Sequence, residues 1–196
     1  MLRKLPILMS LVLVLAMATT GVISAKSPDA GPPQRTTIVD TALAVNAQTG
    51  EFTYLIAALL RVDDELDAGL IPLLDGNRQF TVFAPTDAAF DAAAEALYGP
   101  GATGAQLVAN LDADVLLSIL TYHVAPGRRD AASVLGSTQV RTLSKSFVYP
   151  YEDMDGNAFL RDVDSLGLGS PDAQIVATDI FASNGVIHVI DWVLIP

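Results

Sequence analysis

The segment that most constrains the fold runs from Asn184 to Ile195 and opens on an Asn-Gly dipeptide. Asn-Gly is preferred in two-residue type I′ hairpin turns, because both central residues of that turn need a positive φ. The rest of the segment is apolar except for His188 and Asp191. Successive side chains of a strand point to opposite faces, so these two polar residues are predicted on opposite faces, each of which is otherwise apolar. We therefore predict an interior strand that is covered on both sides, with both polar groups satisfied by partners elsewhere.

Residues 1–25 have the pattern of a secretory signal peptide. A short basic start precedes an apolar run from Leu5 to Ala18, and Ile23-Ser24-Ala25 offers a small-residue cleavage site. The alternative is an uncleaved membrane anchor, although the run is short for the roughly 20 residues that a helix needs to cross a bilayer. We predict cleavage after about Ala25 and a secreted, extracellular protein.

The charge balance narrows the class of partner. The chain has 11 basic and 22 acidic residues, and loss of Arg3 and Lys4 with the signal peptide would leave a net charge of −13. Nucleic acids and anionic membrane surfaces bind basic patches, so we predict neither as a partner after cleavage. The chain has no cysteine, which excludes a disulfide framework and a lipidated cysteine. We predict no cofactor, and the sequence leaves the oligomeric state open.

The remaining chain is predicted to form one domain. Residues 26–35 (KSPDAGPPQR) are typical of a flexible linker, and the domain covers 36–196. Its first half is predicted to be largely helical and the chain from Thr138 onward to be β, which together indicate an α+β fold. One helix has an apolar stripe at helical spacing that is predicted to face the core. The stripe consists of Phe52, Leu55, Ile56, Leu59 and Leu60.

Three stretches resemble the fasciclin domain family. Phe80–Phe90 (FTVFAPTDAAF) is similar to the first homology box of that family, Tyr122-His123 to its central Tyr-His box, and Asn184–Pro196 to its second box. The order and spacing of the three boxes match, over essentially the whole predicted domain. The resemblance implies a wedge-shaped β-sandwich with an N-terminal helical cluster. It also implies a non-enzymatic role in cell-surface adhesion or extracellular-matrix association, through a protein or glycan partner.

The resemblance also suggests partner-binding residues. The Tyr-His box is implicated in adhesion in some relatives, which carries over to Tyr122 and His123. Asp179-Ile180 resembles an Asp-Ile pair implicated in integrin recognition in animal relatives, although the acidic-proline context of those relatives is absent here. The alternative is structural: Tyr122 packs with a bonded hydroxyl, His123 hydrogen-bonds to the Thr86–Asp87 region, and Asp179 and Ile180 are ordinary loop and core residues.

Catalytic and metal-binding patterns are weak. A Ser-His-Asp arrangement is possible on paper around His123, but no Gly-x-Ser-x-Gly elbow supports it, and we predict no catalytic residue. Asp153–Asn157 (DMDGN) does not match a calcium loop, because the glycine falls at the fourth position, so a hairpin turn is predicted.

A different class of function stays open as the alternative to adhesion. It is a soluble carrier or small-molecule enzyme that uses a cleft between the helices and the sheet. Phe147, Tyr149 and Tyr151 alternate along a predicted strand and are candidates for an exposed aromatic strip that contacts glycan or protein. The alternative is that at least one of these rings covers the core.

Overall fold

The computed structural model describes residues 35–163 and 171–196. The predicted signal peptide and all of the linker except Arg35 lie outside these residues, so both stay predictions. The helices are α1 (Ile38–Thr49), α2 (Thr53–Leu66), α3 (Leu70–Asp75), α4 (Asp87–Tyr98), α5 (Gly104–Asn110), α6 (Ala113–Tyr122) and α7 (Ala131–Leu135). The strands are β1 (Phe80–Pro85), β2 (Val124–Pro126), β3 (Val140–Arg141), β4 (Phe147–Glu152), β5 (Ala158–Arg161), β6 (Ala173–Ala182) and β7 (Gly185–Ile190).

The strands form one mixed sheet in the order β2-β1-β7-β6-β5-β4-β3. Strand β1, which lies among the helices in sequence, pairs in parallel with β7, and the other neighbouring strands are antiparallel. The α+β class with a helical N-terminal half is therefore confirmed. Thr86 and Asp112 are the N-caps of α4 and α6, since each side chain accepts a hydrogen bond from a backbone N–H in the first turn of its helix.

Strand β7 is the interior strand that its sequence predicts. Every residue from Gly185 to Ile190 is buried, and the strand lies between β1 and β6. Ile187 and Val189 face a core cluster shared with the helices, whereas Ile190 faces a second cluster under β3, β4 and β5. The sheet therefore has a covered core on both faces, in a sandwich-like arrangement. The strand ends at Ile190, earlier than predicted, because Asp191 and Trp192 form a bend.

The predicted Asn-Gly turn is wrong in detail. The tight turn between β6 and β7 has Ser183 and Asn184 as its central residues, since Ala182 pairs with Gly185. Among the described residues, the positive φ values include neither Asn184 nor Gly185, so this is not a type I′ turn. Asn184 instead uses its buried side chain to accept from the backbone N–H of Ile38 (2.8 Å) and to donate to the carbonyls of Leu74 (2.6 Å) and Gly76 (2.7 Å). The asparagine thus joins the β6–β7 turn to α1 and to the end of α3.

The apolar stripe of α2 is only partly in the core. Phe52 and Leu55 are buried as predicted, but Ile56 and Leu59 are half-buried and Leu60 is 57% exposed. The prediction for Leu60 is therefore wrong. Leu60 lies at the rim of an apolar cavity between α1, α2 and the sheet.

Candidate functional site

Tyr122 and His123 lie at the end of α6 and are both buried. The Tyr122 hydroxyl donates to the carbonyl of Phe147 (2.6 Å), and its ring packs in the second core cluster. Burial raises the pKa of this phenol, with a smaller contribution from the negative charge of Asp162. These contacts give Tyr122 the structural role predicted as the alternative, while a role in partner binding stays a prediction.

His123 links α6 to the C-terminal segment. The Leu194 N–H donates to Nε2 (3.0 Å), so Nε2 is unprotonated and Nδ1–H donates to the Ile119 carbonyl (2.8 Å). The predicted bond to the Thr86–Asp87 region is wrong, because both ring nitrogens are already occupied. Burial lowers the pKa of His123 to about 4, so the imidazole is neutral at physiological pH. A neutral ring with both nitrogens occupied offers no base or nucleophile for catalysis.

Asp179 and Ile180 lie in β6 where its pairing with β7 is irregular. Asp179 has φ +59° and is half-buried, and its carboxylate accepts from the Ala131 N–H at the start of α7 (2.9 Å). Its own N–H donates to Nδ1 of His188 (3.3 Å), and Nε2–H of His188 donates to the Arg129 carbonyl (2.9 Å). His188 is therefore satisfied, as predicted. The Asp179 carboxylate has a structural partner, and its role in partner binding stays a prediction.

Substitution of Asp179 separates these two roles. Asp179→Ala should lower the free energy of unfolding by about 2 kcal/mol, because it removes one hydrogen bond and places alanine in the left-handed region that aspartate tolerates. Asp179→Asn keeps both features and should unfold within about 0.5 kcal/mol of the wild type. Denaturant unfolding with cell binding as a second readout tests this. A folded Asp179→Asn protein that no longer binds cells would show that the carboxylate contacts the partner directly.

Asp191 is satisfied as well. It is exposed, and its carboxylate accepts from the Gln174 N–H of β6 (2.7 Å). His188 and Asp191, the two polar residues predicted on opposite faces of the last strand, thus connect β7 and the bend that follows it to neighbouring elements.

An apolar cavity of about 220 Å³ lies between α1, α2 and the sheet. Its walls are aliphatic apart from the His123 ring, and no carboxylate is among the described side chains that line it. Leu43 of α1 and Leu60 of α2 are 48% and 57% exposed, which places the opening at these two side chains. The wall residues are Ile38, Val39, Ala42, Leu43, Leu55, Ile56, Leu59, Leu60, Ile71, Leu74, Val82, Ala84, Leu120, His123, Val124 and Ile187.

The outward side of β4 and β5 carries a group of rings, here called the aromatic face. The alternate residues of these strands, Val148, Pro150 and Leu160, are buried in the core, so the ring-bearing side points away from it. Tyr149 is 40% exposed and lies across from Arg161 in the register of the two strands. The aromatic face consists of Phe147, Tyr149, Tyr151, Phe159 and Arg161.

Ring and charge contacts hold the aromatic face in place. Tyr151 stacks on Phe159 with centroids 5.5 Å apart and planes at 18°, and the Arg161 guanidinium lies 5.1 Å from the Tyr151 centroid. Asp172 accepts from the Tyr151 hydroxyl (2.7 Å) and from Arg161 (3.0 Å). The hydrogen bonds from Arg161 and Tyr151 lower the pKa of Asp172 in spite of the opposing effect of burial, so its carboxylate is charged at neutral pH.

The Asp153–Asn157 segment forms the predicted hairpin turn between β4 and β5. The Asp153 carboxylate accepts from the N–H groups of Asp155 (2.9 Å) and Asn157 (2.8 Å), and Gly156 has φ +83°. In residues 35–163 and 171–196, no group of three or more acidic or histidine side chains is placed to hold a metal ion. Over the same residues, no helix combines the length and apolar character needed to cross a membrane.

The chain belongs to the fasciclin domain family. The family model for the fasciclin domain matches residues 49–196. The protein sll1483 of the cyanobacterium Synechocystis is 35% identical over 156 residues, which cover 80% of this chain and 73% of that protein. The cell surface glycolipoprotein MPB83 of Mycobacterium bovis is 30% identical over 164 residues, which cover 81% of this chain and 60% of that protein.

A solved structure supports the same fold. The FAS1 domain pair of the insect cell adhesion molecule Fasciclin I has a TM-score of 0.51 and 20% sequence identity with this chain. The match covers 71% of this chain and 44% of the insect chain. The resemblance drawn from the three sequence boxes is therefore confirmed.

The sequence offered a cleft between the helices and the sheet only as an alternative, and it did not identify the walls of this cavity. The apolar stripe of α2 pointed to a helix packed against a core, but periodicity alone does not distinguish a filled core from one with space between its layers. The half-exposed side chains of Leu43 and Leu60 are the sign of the cavity opening. This sign can be read only once the positions of α1 and α2 in the fold are known.

Proposed function

We propose that this chain is a secreted fasciclin-domain protein that associates with cell surfaces or the extracellular matrix by binding a protein or glycan, without catalysis. Membership of a family associated with adhesion supports this role. The basic and apolar start of the sequence supports export. The name of the mycobacterial relative as a cell surface glycolipoprotein is consistent with an extracellular site of action.

The observation that carries the proposal is the aromatic face. Interface residues with large energetic effects are enriched in Tyr, Trp and Arg, and this face presents two tyrosines and an arginine side by side on a rigid strand pair. The stacked Tyr151–Phe159 pair and the Arg161–Asp172 ion pair fix these side chains before a partner arrives. Such preorganisation reduces the entropy lost on binding.

A glycan fits the chemistry of this face best. The flat, C–H-rich side of a sugar ring packs on aromatic rings, while its hydroxyl groups need donors and acceptors at the edge of those rings. Arg161 supplies donors, and Asp172 supplies a charged acceptor beside Tyr151. In this proposal Tyr122, His123, Asp179 and Ile180 affect binding through the fold, because the first two are buried and the last two are half-buried in β6.

The test is binding of the purified protein to intact producer cells and their matrix. Tyr149→Ala should weaken saturable binding about tenfold, as expected for removal of one central aromatic residue. Tyr98→Ala is the matched control, because Tyr98 is 45% exposed at the end of α4, away from β4 and β5. The control variant should bind like the wild type.

Two further measurements sharpen the result. Competition with polysaccharide purified from the same matrix should displace the protein if the partner is a glycan, whereas protease treatment of the cells should abolish binding if it is a protein. Parallel assays with EDTA show whether divalent cations bridge this acidic chain to its partner. Equal binding by the Tyr149→Ala and Tyr98→Ala proteins would exclude the aromatic face as the contact surface.

A further inference from the structure

We propose that the cavity between α1, α2 and the sheet binds a single alkyl chain of an uncharged amphiphile. The first argument is its size. At about 220 Å³ the cavity is larger than the apolar cavity of about 150 Å³ that holds benzene in an engineered core. In proportion, it has room for about nine carbon atoms. A linear chain of that length fits the space, and the rest of the molecule leaves through the opening at Leu43 and Leu60.

The second argument is the chemistry of the walls. Fifteen of the sixteen wall residues in the described part of the chain are aliphatic, and no phenylalanine, tyrosine or tryptophan is among these sixteen. An aromatic ligand would therefore find no benzene or indole ring to stack against, and only the imidazole of His123. The remaining wall residue, His123, has both nitrogens engaged with Ile119 and Leu194, so it offers no free donor or acceptor to a polar ligand. The walls therefore complement the hydrocarbon part of a ligand and offer no hydrogen bond to a polar part.

The third argument is charge. Among the residues that the structure describes, no charged side chain lines the cavity, and His123 is neutral, so none of them compensates an ionised head group inside it. The whole chain carries a net charge of −11, and α2 continues from the opening into Asp63, Asp64 and Glu65. An anionic head group at the opening would be repelled by this field. This field argues against an anionic head group, and the described walls offer no carboxylate to pair with a cation, so we propose an uncharged head group.

The cavity binds independently of the aromatic face. The two lie on different elements, α1 and α2 for the opening and β4 and β5 for the face, so either assignment stands if the other fails. A protein with both sites would carry an uncharged lipid-like molecule while attached to a surface.

The experiment uses two probes that differ only in charge. The purified protein, labelled at Ile, Leu and Val methyl groups, is titrated at pH 7 with 1-nonanol and separately with nonanoate. Nonanol should give saturable shifts confined to methyl groups of the cavity walls, and nonanoate should bind at least about tenfold more weakly. Absence of saturable shifts with nonanol would overturn the proposal, and equal affinity for nonanoate would overturn the uncharged head group.

Occluding variants provide the specificity control. Ala42→Phe places a ring in the cavity from α1 and should weaken nonanol binding at least about tenfold, whereas Ala44→Phe makes the same change on the exposed opposite side of α1 and should not. If the Ala42→Phe protein does not fold, Ile56→Phe fills the cavity from α2 instead. Undiminished binding by a folded occluding variant would show that nonanol binds elsewhere, contrary to the proposal.

Discussion

Replacing Gly185 with alanine should lower the free energy of unfolding by at least about 3 kcal/mol. A Cβ at this position would lie 2.1 Å from the backbone oxygen of Phe80 and 2.5 Å from Cδ1 of Ile38. Phe80 is the partner of Gly185 in the parallel pairing of β1 with β7, so the clash is with backbone and cannot be relieved by a side-chain rotation. Urea unfolding at pH 7, followed by circular dichroism, measures the change.

Gly76→Ala is the matched control for this prediction. Gly76 also has a negative φ, and an added Cβ would lie 3.3 Å from the carbonyl oxygens of Leu73 and Pro72, a tight but tolerable contact. This variant should unfold within about 1 kcal/mol of the wild type. Comparable stability of the two variants would mean that the spacing of β1 and β7 adjusts to the extra methyl group, and that the close approach is not what requires glycine.

The Asn184-Gly185 dipeptide shows where sequence reasoning stops. Its composition matches a hairpin turn, and a turn is present, but the two residues are there for other reasons. Gly185 allows β1 to approach, and Asn184 bonds to Ile38, Leu74 and Gly76, which are more than 100 residues away in the chain. Local turn chemistry is readable from a dipeptide, whereas contacts of such long range depend on the assembled fold.

The faces of the last strand were predictable because they depend only on alternation. His188 and Ile190 share one core and Ile187 and Val189 the other, as a period of two requires. That Phe147, Tyr149 and Tyr151 share one side of β4 was predictable for the same reason, and of these three rings Tyr149 is exposed while Phe147 and Tyr151 are half-buried. Phe159 and Arg161 were not, because they join the face through the register of β5 against β4, which no local pattern encodes.

His123 was recognisable as part of a family box but its contacts were not. Its partners are the Ile119 carbonyl one helical turn earlier and the Leu194 N–H near the C-terminus. The first contact is local, and the second requires the C-terminal segment to fold back onto the end of α6. The sequence left open whether this histidine binds a partner or is structural, and it did not identify the Leu194 contact.

Acidification should destabilise the protein through His123 by about 3 kcal/mol between pH 6.5 and pH 4. Burial lowers the pKa of this histidine from 6.5 to about 4 in the folded protein. Between these two values the unfolded chain binds a proton that the folded chain does not, so the free energy of unfolding falls as the pH falls. This contribution is complete above pH 6.5 and is lost as the pH approaches 4. Urea unfolding at pH 7, 6 and 5 should show about 2 kcal/mol of the loss before most carboxylates titrate.

The difference in the free energy of unfolding between the wild type and His123→Gln isolates this effect from every other titrating group. The variant should be less stable than the wild type at pH 7, because the amide replaces the Ile119 and Leu194 hydrogen bonds imperfectly, and this difference in stability should shrink by about 2 kcal/mol from pH 7 to pH 5. Parallel loss of stability in both proteins over this range would place the titrating group elsewhere. Protonation occurs at Nε2, the atom that accepts from the Leu194 N–H, so the proton that destabilises the fold also breaks the bond between α6 and the C-terminal segment. The protection factor of the Leu194 amide against hydrogen exchange should therefore fall more on acidification than that of amides in segments that do not contact His123.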